Sequence, residues 1–283
     1  MIIKRLAISI VLTCLVLILA SCGTPPTPPP IEGELNVHFI DVGQGDSILV
    51  DIGETEVLID GGGKLPGVVA YLNNYVDGPL EVMVATHPHA DHIGGLIAVL
   101  DAFEVEEIWL NGDTSTSKTF NEFMSRVNAE GASVYEAERG NSIEVGVLSF
   151  LILHPVRPLV DDTNNNSIVL RLSYGNVDFL FTGDAEQEAE AAMLTASDIP
   201  VPDVEILKVG HHGSRTASSQ DFLAATSPEV AIYMAATGNR YGHPHKETIL
   251  NLNQVGAEIY GTDIHSTIII TTDGEAFTTQ TER

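Results

Sequence analysis

The chain has 283 residues, 44% of them hydrophobic, and its 39 acidic residues against 13 basic ones give a formal net charge of −26. A surface this acidic repels polyanions at long range, and the sequence contains no cluster of Lys and Arg of the kind that nucleic-acid binders present. The composition therefore argues against tight DNA binding through a basic face. It leaves room for a nuclease whose metal ions hold the scissile phosphate, since salt in the native medium would screen the repulsion.

The first residues have the pattern of an export signal. Lys4 and Arg5 precede an apolar run over residues 6–20, which is too short for a comfortable transmembrane helix. The run ends in Leu-Ala-Ser-Cys, which resembles a bacterial lipobox in which Cys22 becomes the lipid-modified first residue of the mature protein. We predict a lipoprotein signal peptide over residues 1–22; the alternative is an uncleaved anchor helix with an incidental cysteine. Either would tether the protein in the cell envelope, at the outer face of the cytoplasmic membrane or at a periplasmic membrane face.

Residues 23–33 are rich in proline and form the predicted linker. Proline fixes φ and lacks an amide donor, so this stretch should be an extended, semi-stiff spacer or simply a disordered terminus. Residues 34–283 are the predicted folded domain. Because the only cysteines are Cys14 and Cys22, this domain has no disulfide and no thiolate ligand, and its stability must come from an ordinary core.

Within this domain, short apolar runs alternate with segments of helical periodicity, and a hairpin is predicted around Tyr174-Gly175-Asn176. The pattern predicts an α/β fold with two mixed sheets face to face and helices outside. We assign 133–135, 142–145 and 147–153 to the second sheet. The predicted strands are 35–40, 47–51, 56–59, 82–85, 107–110, 133–135, 142–145, 147–153, 167–172, 177–182, 204–209, 230–234, 258–260 and 267–271, and the predicted helices are 68–74, 93–100, 120–130, 185–196, 219–225 and 248–254.

One turn concentrates side chains that bind metal ions. The stretch Thr86-His87-Pro88-His89-Ala90-Asp91-His92 places three histidines and an aspartate between a strand-like run and a helix-like run. Neutral imidazoles and carboxylates are ligands of zinc, manganese and iron. A single histidine is usually structural, but four ligand-type residues in this spacing predict a metal site.

These residues also resemble a known family. The His-x-His-x-Asp-His turn after an apolar strand is similar to the signature of the metallo-β-lactamase superfamily of metallo-hydrolases. The resemblance runs from about residue 34 to about residue 272. It implies a four-layer αββα metallo-β-lactamase sandwich, with 34–283 as a hydrolase domain whose site lies at one edge. Motifs that resemble the soluble hydrolase domain of ComEC/Rec2 competence proteins are FIDVGQGDS at 39–47, LIDGGG at 58–63, NNNS at 164–167, FTGDAE at 181–186 and VGHHGS at 209–214.

Three residues in the second half of the chain extend the predicted site. Asp184 follows an apolar strand and could be a helix N-cap; in its Thr-Gly-Asp context it resembles the family's bridging carboxylate. Adjacent histidines on a strand point to opposite faces, so His211 and His212 should differ in role. We favour His212 as a metal ligand and His211 as an acid or a phosphate contact. The alternative is one core histidine and one surface histidine.

Two histidines are assigned from their place in the family pattern. His154 ends a strand where the superfamily usually places another ligand, although its neighbours depart from the usual Gly-His-x-x-Gly wording. If His154 is not a ligand, then Asn165, Asn166 or a water could take that position, and 164–167 could equally be an ordinary turn. His243, which lies between a strand and a helix, suits either the family's last histidine or a surface loop.

Two aspartates are predicted to support the ligands. Asp60 resembles the early aspartate that orients the metal-binding turn, because a carboxylate behind a ligand fixes its rotamer and tautomer. We predict a similar role for Asp41. Gln44 and Asp46, in the same loop as Asp41, are interpreted as support and not as ligands.

The resemblance implies two divalent ions, zinc or manganese. Two ions about 3.5–4 Å apart can activate a bridging water for attack on phosphorus or on a carbonyl carbon. Asp91, His211 and His243 are the predicted catalytic residues, with His211 or His243 protonating the leaving oxygen. The predicted ligands are His87, His89 and His154 for one ion and Asp91, His92 and His212 for the other, with Asp184 between them.

We therefore expect a membrane-tethered, extracytoplasmic metallo-hydrolase that uses a metal-bound hydroxide. The resemblance implies a phosphodiester substrate, with single-stranded DNA first, and the DNA-uptake machinery as a partner. One alternative is a phosphoesterase that acts on small envelope phosphoesters such as choline phosphate. Another is a metal-binding lipoprotein without turnover. The sequence predicts no particular oligomeric state.

Overall fold

The computed structural model describes residues 33–65 and 67–283. The predicted signal peptide, with Cys22, and the predicted linker up to residue 32 lie outside these residues. The strands of the described part are β1 (Leu35–Phe39), β2 (Ile48–Ile52), β3 (Thr55–Ile59), β4 (Leu80–Ala85), β5 (Val105–Leu110), β6 (Ser133–Glu136), β7 (Ser142–Val145), β8 (Leu148–His154), β9 (Val169–Tyr174), β10 (Val177–Phe181), β11 (Ile206–Lys208), β12 (Val230–Tyr233), β13 (Glu258–Gly261), β14 (Ile268–Thr272) and β15 (Phe277–Thr281).

Helices lie between many of these strands, and two short 3₁₀ turns occur at Asn164–Asn166 and Gly210–Gly213. None of the helices in the described part is long and apolar enough to cross a membrane. The helices of this part are α1 (Val69–Leu72), α2 (Ala90–Ile93), α3 (Leu96–Ala102), α4 (Lys118–Glu130), α5 (Gln187–Thr195), α6 (Gln220–Thr226), α7 (Lys246–Val255) and α8 (Thr262–His265).

The strands form two mixed sheets, one of eight strands in the order β15-β14-β1-β2-β3-β4-β5-β6 and one of seven in the order β13-β12-β11-β10-β9-β8-β7. Each sheet is antiparallel on one side and parallel on the other. Strands β3 to β6 are parallel in the first sheet, and β10 to β13 are parallel in the second. Parallel neighbours need crossover connections, which explains why most of the helices follow these strands.

The core lies between the two sheets and under the helices on both sides. In β1, alternate residues Leu35, Val37 and Phe39 point to the inter-sheet core, as the period of two in a strand requires. Separate apolar clusters join the first sheet to α1, α3 and α4, and the second sheet to α5, α6 and α7. The described residues therefore form a four-layer αββα sandwich, which confirms the fold that the sequence predicts.

The structure corrects two of the predicted elements and adds a strand. Strand β6 belongs to the first sheet, parallel to β5, because helix α4 brings the chain back beside the strand that it leaves. The helix predicted over 93–100 is two helices, divided where Gly95 packs so closely on Gly61 that a Cβ atom would lie 1.9 Å from its carbonyl oxygen. The last strand, β15, was not predicted.

A buried carboxyl group lies on the outer face of the first sheet. Glu56 on β3 is 1% exposed, and neither of its carboxyl oxygens has a hydrogen-bond partner in the described part of the chain. Its strand neighbours are acidic: Asp51 is its register partner on β2, and the carboxylate of Glu81 accepts a hydrogen bond from its backbone N–H. Burial, together with the charges of Glu81 and Asp77, raises the pKa of Glu56 to about 7.

This raised pKa predicts a pH-dependent stability. The ordinary pKa of Glu56 is 4.5, so between that value and about 7 the folded state holds a proton that the unfolded state has released. The contribution of Glu56 to stability is therefore present at low pH and lost as the pH rises through this window. We expect Glu56→Gln to stabilise the protein relative to the wild type by about 1–3 kcal/mol more at pH 8 than at pH 5, measured by urea unfolding.

Exposed Glu106 on β5 provides the control, because Glu106→Gln changes the same chemical group where it is solvated. The Glu106→Gln variant should follow the wild-type pH dependence. A Glu56→Gln variant whose stability difference from the wild type is the same at both pH values would contradict the assignment.

Candidate metal centre

The predicted site residues meet where parallel strands of both sheets end. The turn with His87 follows β4, Asp184 follows β10, His211 and His212 follow β11, and the loop with His243 follows β12. The carboxyl ends of parallel strands are a common place for binding sites because several loops converge there. Here the two sheets face each other, so loops from both halves of the chain border one cavity of about 330 Å³.

The first group of ligand atoms consists of two histidines and a carboxylate. His87 is buried at the end of β4, whereas His89 is exposed at the start of α2. Nε2 of His87 and Nδ1 of His89 lie 3.0 Å apart, and Nε2 of His87 lies 3.7 Å from Oδ2 of Asp184. The His-x-His spacing thus places two imidazole nitrogens side by side, facing the carboxylate of Asp184.

The second group lies on the other side of the same carboxylate. Nε2 of His92 and Nε2 of His212 lie 3.2 and 3.4 Å from Oδ2 of Asp184. Asp91 borders this group, with its Oδ2 atom 3.6 Å from Nε2 of His212. Asp184 therefore stands between the two groups, in the position predicted for a bridging carboxylate.

The residues present fit divalent metal ions. Three buried atoms have no hydrogen-bond partner in the described residues: Nε2 of His92, Nε2 of His212 and Oδ1 of Asp184. Burying such atoms is costly unless they bind something else, such as a metal ion. Ligand atoms of His87, His89 and Asp184 lie within 4.8 Å of one another, as do those of His92, Asp184, His212 and Asp46. A donor set of imidazole nitrogen and carboxylate oxygen suits zinc and manganese.

The electrostatics of the centre favour positive charge. Burial alone would lower the pKa of His92 and of His212, but the Asp184 carboxylate, with Asp60 at His92 and Asp46 at His212, outweighs burial and holds both pKa values well above the ordinary range. For His87 burial dominates, helped by the charge of His92, and its pKa lies well below that range. The carboxylates thus make the Nε2 side of His92 and His212 favourable for a positive charge, which a metal ion can supply in place of a proton, while His87 stays neutral and free to ligate.

Asp60 supports the metal-binding turn directly. Its Oδ1 atom accepts a hydrogen bond from the backbone N–H of Thr86 (2.8 Å), and its Oδ2 atom accepts from Thr86 Oγ1 (2.6 Å) and His92 Nδ1 (2.7 Å). Strand β3 is the parallel neighbour of β4, so the residue after β3 lies beside the turn after β4. The contact leaves Nε2 of His92 free to face Asp184.

The structure places Asp41 away from the ligands. Its carboxylate accepts hydrogen bonds from the backbone N–H of Gly43 and from Ser266 Oγ, and its own N–H donates to Thr267. The supporting role predicted for Asp41 is therefore corrected: within the described residues it shapes the β1–β2 loop. The same loop does reach the centre further along, because Gly45 lies so close to α2 that a Cβ atom would sit 2.0 Å from the carbonyl oxygen of Asp91.

His211 and His212 differ in role, but not for the reason predicted. Strand β11 ends at Lys208, and both histidines lie in the Gly210–Gly213 turn with left-handed φ values of 45° and 56°. The His212 side chain is 2% exposed and lies in the second group, whereas that of His211 is 23% exposed. Nδ1 of His211 lies 2.7 Å from Oε1 of Glu186, a partner that the sequence analysis missed although it follows Asp184 by only two residues.

His154 does not join either group of ligands. Its Nε2 atom donates to the backbone oxygen of Asn165 (2.7 Å), in a separate cavity bordered by helix α5. Strict alternation along β8 would place His154 on the same face as Ile152, but a bulge between these two residues shifts the register and turns the side chain outward. The ligand role predicted for His154 is corrected on this ground.

The two asparagines considered in its place are also engaged elsewhere. Oδ1 of Asn165 accepts from the backbone N–H groups of Glu186 and Ala189, and Oδ1 of Asn166 accepts from that of Val160. Both side chains therefore fasten the 3₁₀ turn and its neighbours. The first group then consists of His87, His89 and Asp184, with room for water or substrate.

His243 lies on the wall of the cavity. Its ring centroid is 5.5 Å from that of His211, and Tyr241 stacks on it at 5.6 Å. Burial and the neighbouring histidines lower the pKa of His243 to about 4. His243 is thus a neutral imidazole at pH 7 that faces the cavity beside His211.

Fold, centre and motifs agree with comparisons to known proteins. The chain belongs to the metallo-β-lactamase superfamily, whose family model matches residues 40–236. It is 29% identical over 260 residues to the ComE operon protein 3 of Bacillus subtilis. This alignment covers 85% of this chain and 33% of that protein. It is 31% identical over 236 residues to the competence protein ComA of Neisseria gonorrhoeae, covering 82% of this chain and 32% of ComA. These matches confirm the resemblance seen in the motifs.

The chain spans about a third of the length of these curated relatives. Among solved structures, the metallo-β-lactamase fold protein YhfI from Bacillus subtilis is similar with a TM-score of 0.55 at 14% identity, covering 83% of this chain and 98% of YhfI. At that identity the likeness concerns the fold alone, and it supports the sandwich described above.

The contacts of Asp60 predict a specific loss of metal affinity. Asp60→Asn keeps the shape of the side chain but removes the charge that orients His92, and we expect zinc or manganese affinity to fall about 10–100-fold. Competition with a chromophoric chelator measures this affinity. Asp41→Asn is the matched control and should bind metal like the wild type. Equal losses in both variants would contradict the roles assigned to the two aspartates.

Proposed function

We propose that this protein is a dinuclear metal-dependent phosphodiesterase that cleaves nucleic acid, tethered by lipid at Cys22 in the cell envelope. The observation that carries the proposal is the carboxylate of Asp184 between two histidine groups, His87 with His89 and His92 with His212. Such an arrangement suits two cations that share one carboxylate. Bound ions would activate a water and neutralise the charge of a substrate phosphate, which is the chemistry that phosphodiester cleavage needs.

The side chains around the cavity divide the remaining work. His89 and Asp91 lie at its exposed side, where a substrate phosphate would approach, and Asp184 and His212 lie at its buried base. Glu186 holds Nδ1 of His211, so Nε2 faces the Asp184 side of the cavity, 3.7 Å from Oδ2. We assign to His211 the transfer of a proton to the leaving oxygen, since the Glu186 carboxylate would stabilise its protonated form. Neutral His243 beside it can accept a hydrogen bond from the substrate.

Nucleic acid is the favoured substrate because the curated relatives are named as competence and recombination proteins. We propose single-stranded DNA as the substrate and the DNA-uptake machinery as a partner. The ions would serve as the positive anchor that the composition lacks, since the chain carries a formal charge of −26. Attraction of DNA would then depend on salt in the opposite sense to that of a basic protein: moderate salt screens the repulsion and assists binding.

The same charge favours a second candidate function. A small envelope phosphoester, such as choline phosphate on a cell-wall polymer, carries less charge than DNA and would be repelled less by an acidic surface. Metal binding without turnover is the remaining possibility, and the absence of hydrolysis across diesters, monoesters and carboxylic esters would favour it.

Cleavage of DNA by the full-length chain tests the proposal. We expect end-labelled single-stranded DNA to be cut in the presence of Mn²⁺ or Zn²⁺, with a rate that rises between about 20 and 150 mM salt as the repulsion is screened. His89→Ala removes a ligand of the first group, and we expect the rate to fall about a hundredfold or more. Intact DNA with two metals bound per chain would overturn the nuclease reading and favour the small phosphoesters.

A second variant tests whether His154 is a metal ligand, as the sequence predicts, or lies outside the centre, as the structure shows. His154→Ala leaves both ligand groups intact, so we expect it to bind two metals and to retain most of the DNA cleavage rate. Loss of one metal from this variant, with its far-ultraviolet circular dichroism unchanged, would restore His154 as a ligand.

A further inference from the structure

A lysine is buried directly behind the proposed metal centre. Lys208, the last residue of β11, has no exposed surface. Its Nζ atom contacts the carboxylate of Asp46 and donates to the carbonyl oxygen of Gly183 at 2.8 Å. A buried ammonium is costly unless it is paired and its hydrogen-bonding capacity is met. These two partners meet that requirement and tie the β1–β2 loop of one sheet to the Gly183-Asp184 turn of the other.

Asp46 and Asp184 lie on opposite sides of the same two imidazoles. Asp184 faces the Nε2 atoms of His92 and His212, at 3.2 and 3.4 Å. Asp46 faces their Nδ1 atoms, at 3.9 Å from His92 and 3.2 Å from His212. The two nitrogens of an imidazole point away from each other, so a cation held by the Nε2 atoms next to Asp184 is on the far side of the rings from Asp46.

The Nδ1 atoms are, moreover, already engaged. Nδ1 of His92 donates to Asp60, and Nδ1 of His212 donates to the backbone oxygen of Met234 at 3.0 Å. This leaves the Nε2 atoms of both rings as the ligand atoms. Distance alone would admit Asp46 as a fourth ligand, since it forms with His92, Asp184 and His212 a group in which one ligand-type atom of each residue lies within 4.8 Å of the others. The direction of the rings excludes Asp46 as a ligand, because their Nε2 atoms point away from it.

We propose that Lys208 is a positioning residue that holds Asp46 behind the imidazoles, where this carboxylate supports His212 and does not ligate the metal. The second ion is then bound by His92, His212 and Asp184, with Asp91 at its open side, and Asp46 acts as a counter-charge to Lys208 and as support for His212. This assignment rests on the metal centre proposed above. It goes beyond that proposal by naming which of two buried carboxylates ligates and which residue fixes the position of the other.

Cobalt substitution of the full-length chain tests the assignment without relying on activity. Co²⁺ reports coordination number through its visible absorption, and chelator competition reports affinity. We expect Asp46→Asn to bind two Co²⁺ with the wild-type spectrum and an affinity within about threefold, because the backbone oxygen of Met234 still holds Nδ1 of His212 and the amide oxygen can still accept from Lys208. We expect Lys208→Met to lower the affinity for one Co²⁺ about tenfold or more and to change the spectrum, because the freed Asp46 carboxylate, 3.2 Å from Nδ1 of His212, can draw this ring away from Met234 and from the ion.

The double variant Lys208→Met/Asp46→Asn keeps the test decisive if the single lysine variant is too unstable to purify. It leaves no unpaired buried charge, and we expect the wild-type spectrum and stoichiometry to return. Loss of one Co²⁺ in Asp46→Asn, while the wild type binds two, would overturn the assignment and make Asp46 a ligand. A wild type that binds no Co²⁺ would instead overturn the metal centre itself.

Discussion

The carboxylate of Asp184 is the contact on which the site depends. Its Oδ2 atom lies within 3.7 Å of a nitrogen of each of four imidazoles: His87, His92, His211 and His212. A buried carboxylate needs partners for its charge. The four histidines that surround this one come from the two turns that carry the ligands. This convergence requires one relative placement of the edges of the two sheets.

Residues around the centre fix the orientation of these histidines. Asp60 orients His92, Glu186 orients His211, and the backbone oxygen of Met234 orients His212. Each of these contacts uses Nδ1 and leaves Nε2 for the cavity, so the imidazoles are committed to one tautomer and one direction. Lys208 adds a fixed positive charge at the back of this layer. The cavity therefore has a base of buried, hydrogen-bonded side chains and an exposed rim formed by His89 and Tyr241.

Much of this arrangement was predictable because its signals are local. The turn from His87 to His92 carries its ligands within six residues, and the strand and helix periodicity on either side places it at a strand end. Asp184 and His212 were found through short motifs.

The errors came from backbone details that a pattern of residues does not carry. A bulge at the end of β8 turns His154 outward, and left-handed φ values in the Gly210–Gly213 turn replace the strand on which the argument about His211 and His212 rested. Asp46 and Lys208 are 162 positions apart, so their pairing was not visible, although a lysine inside the apolar run of β11 was a signal that a buried anion must exist.

The placement of the centre across the seam between the sheets has a mechanical consequence. His87, His89 and His92 belong to the first sheet's loops, whereas Asp184 and His212 belong to those of the second. Any ion bound there would fasten the two halves of the sandwich, and its binding free energy would add to the work of separating them. The only cysteines of the chain lie at positions 14 and 22, so the folded domain has no covalent cross-link of its own. Metal would then act as a removable cross-link, and its loss would loosen the whole domain as well as stop its chemistry.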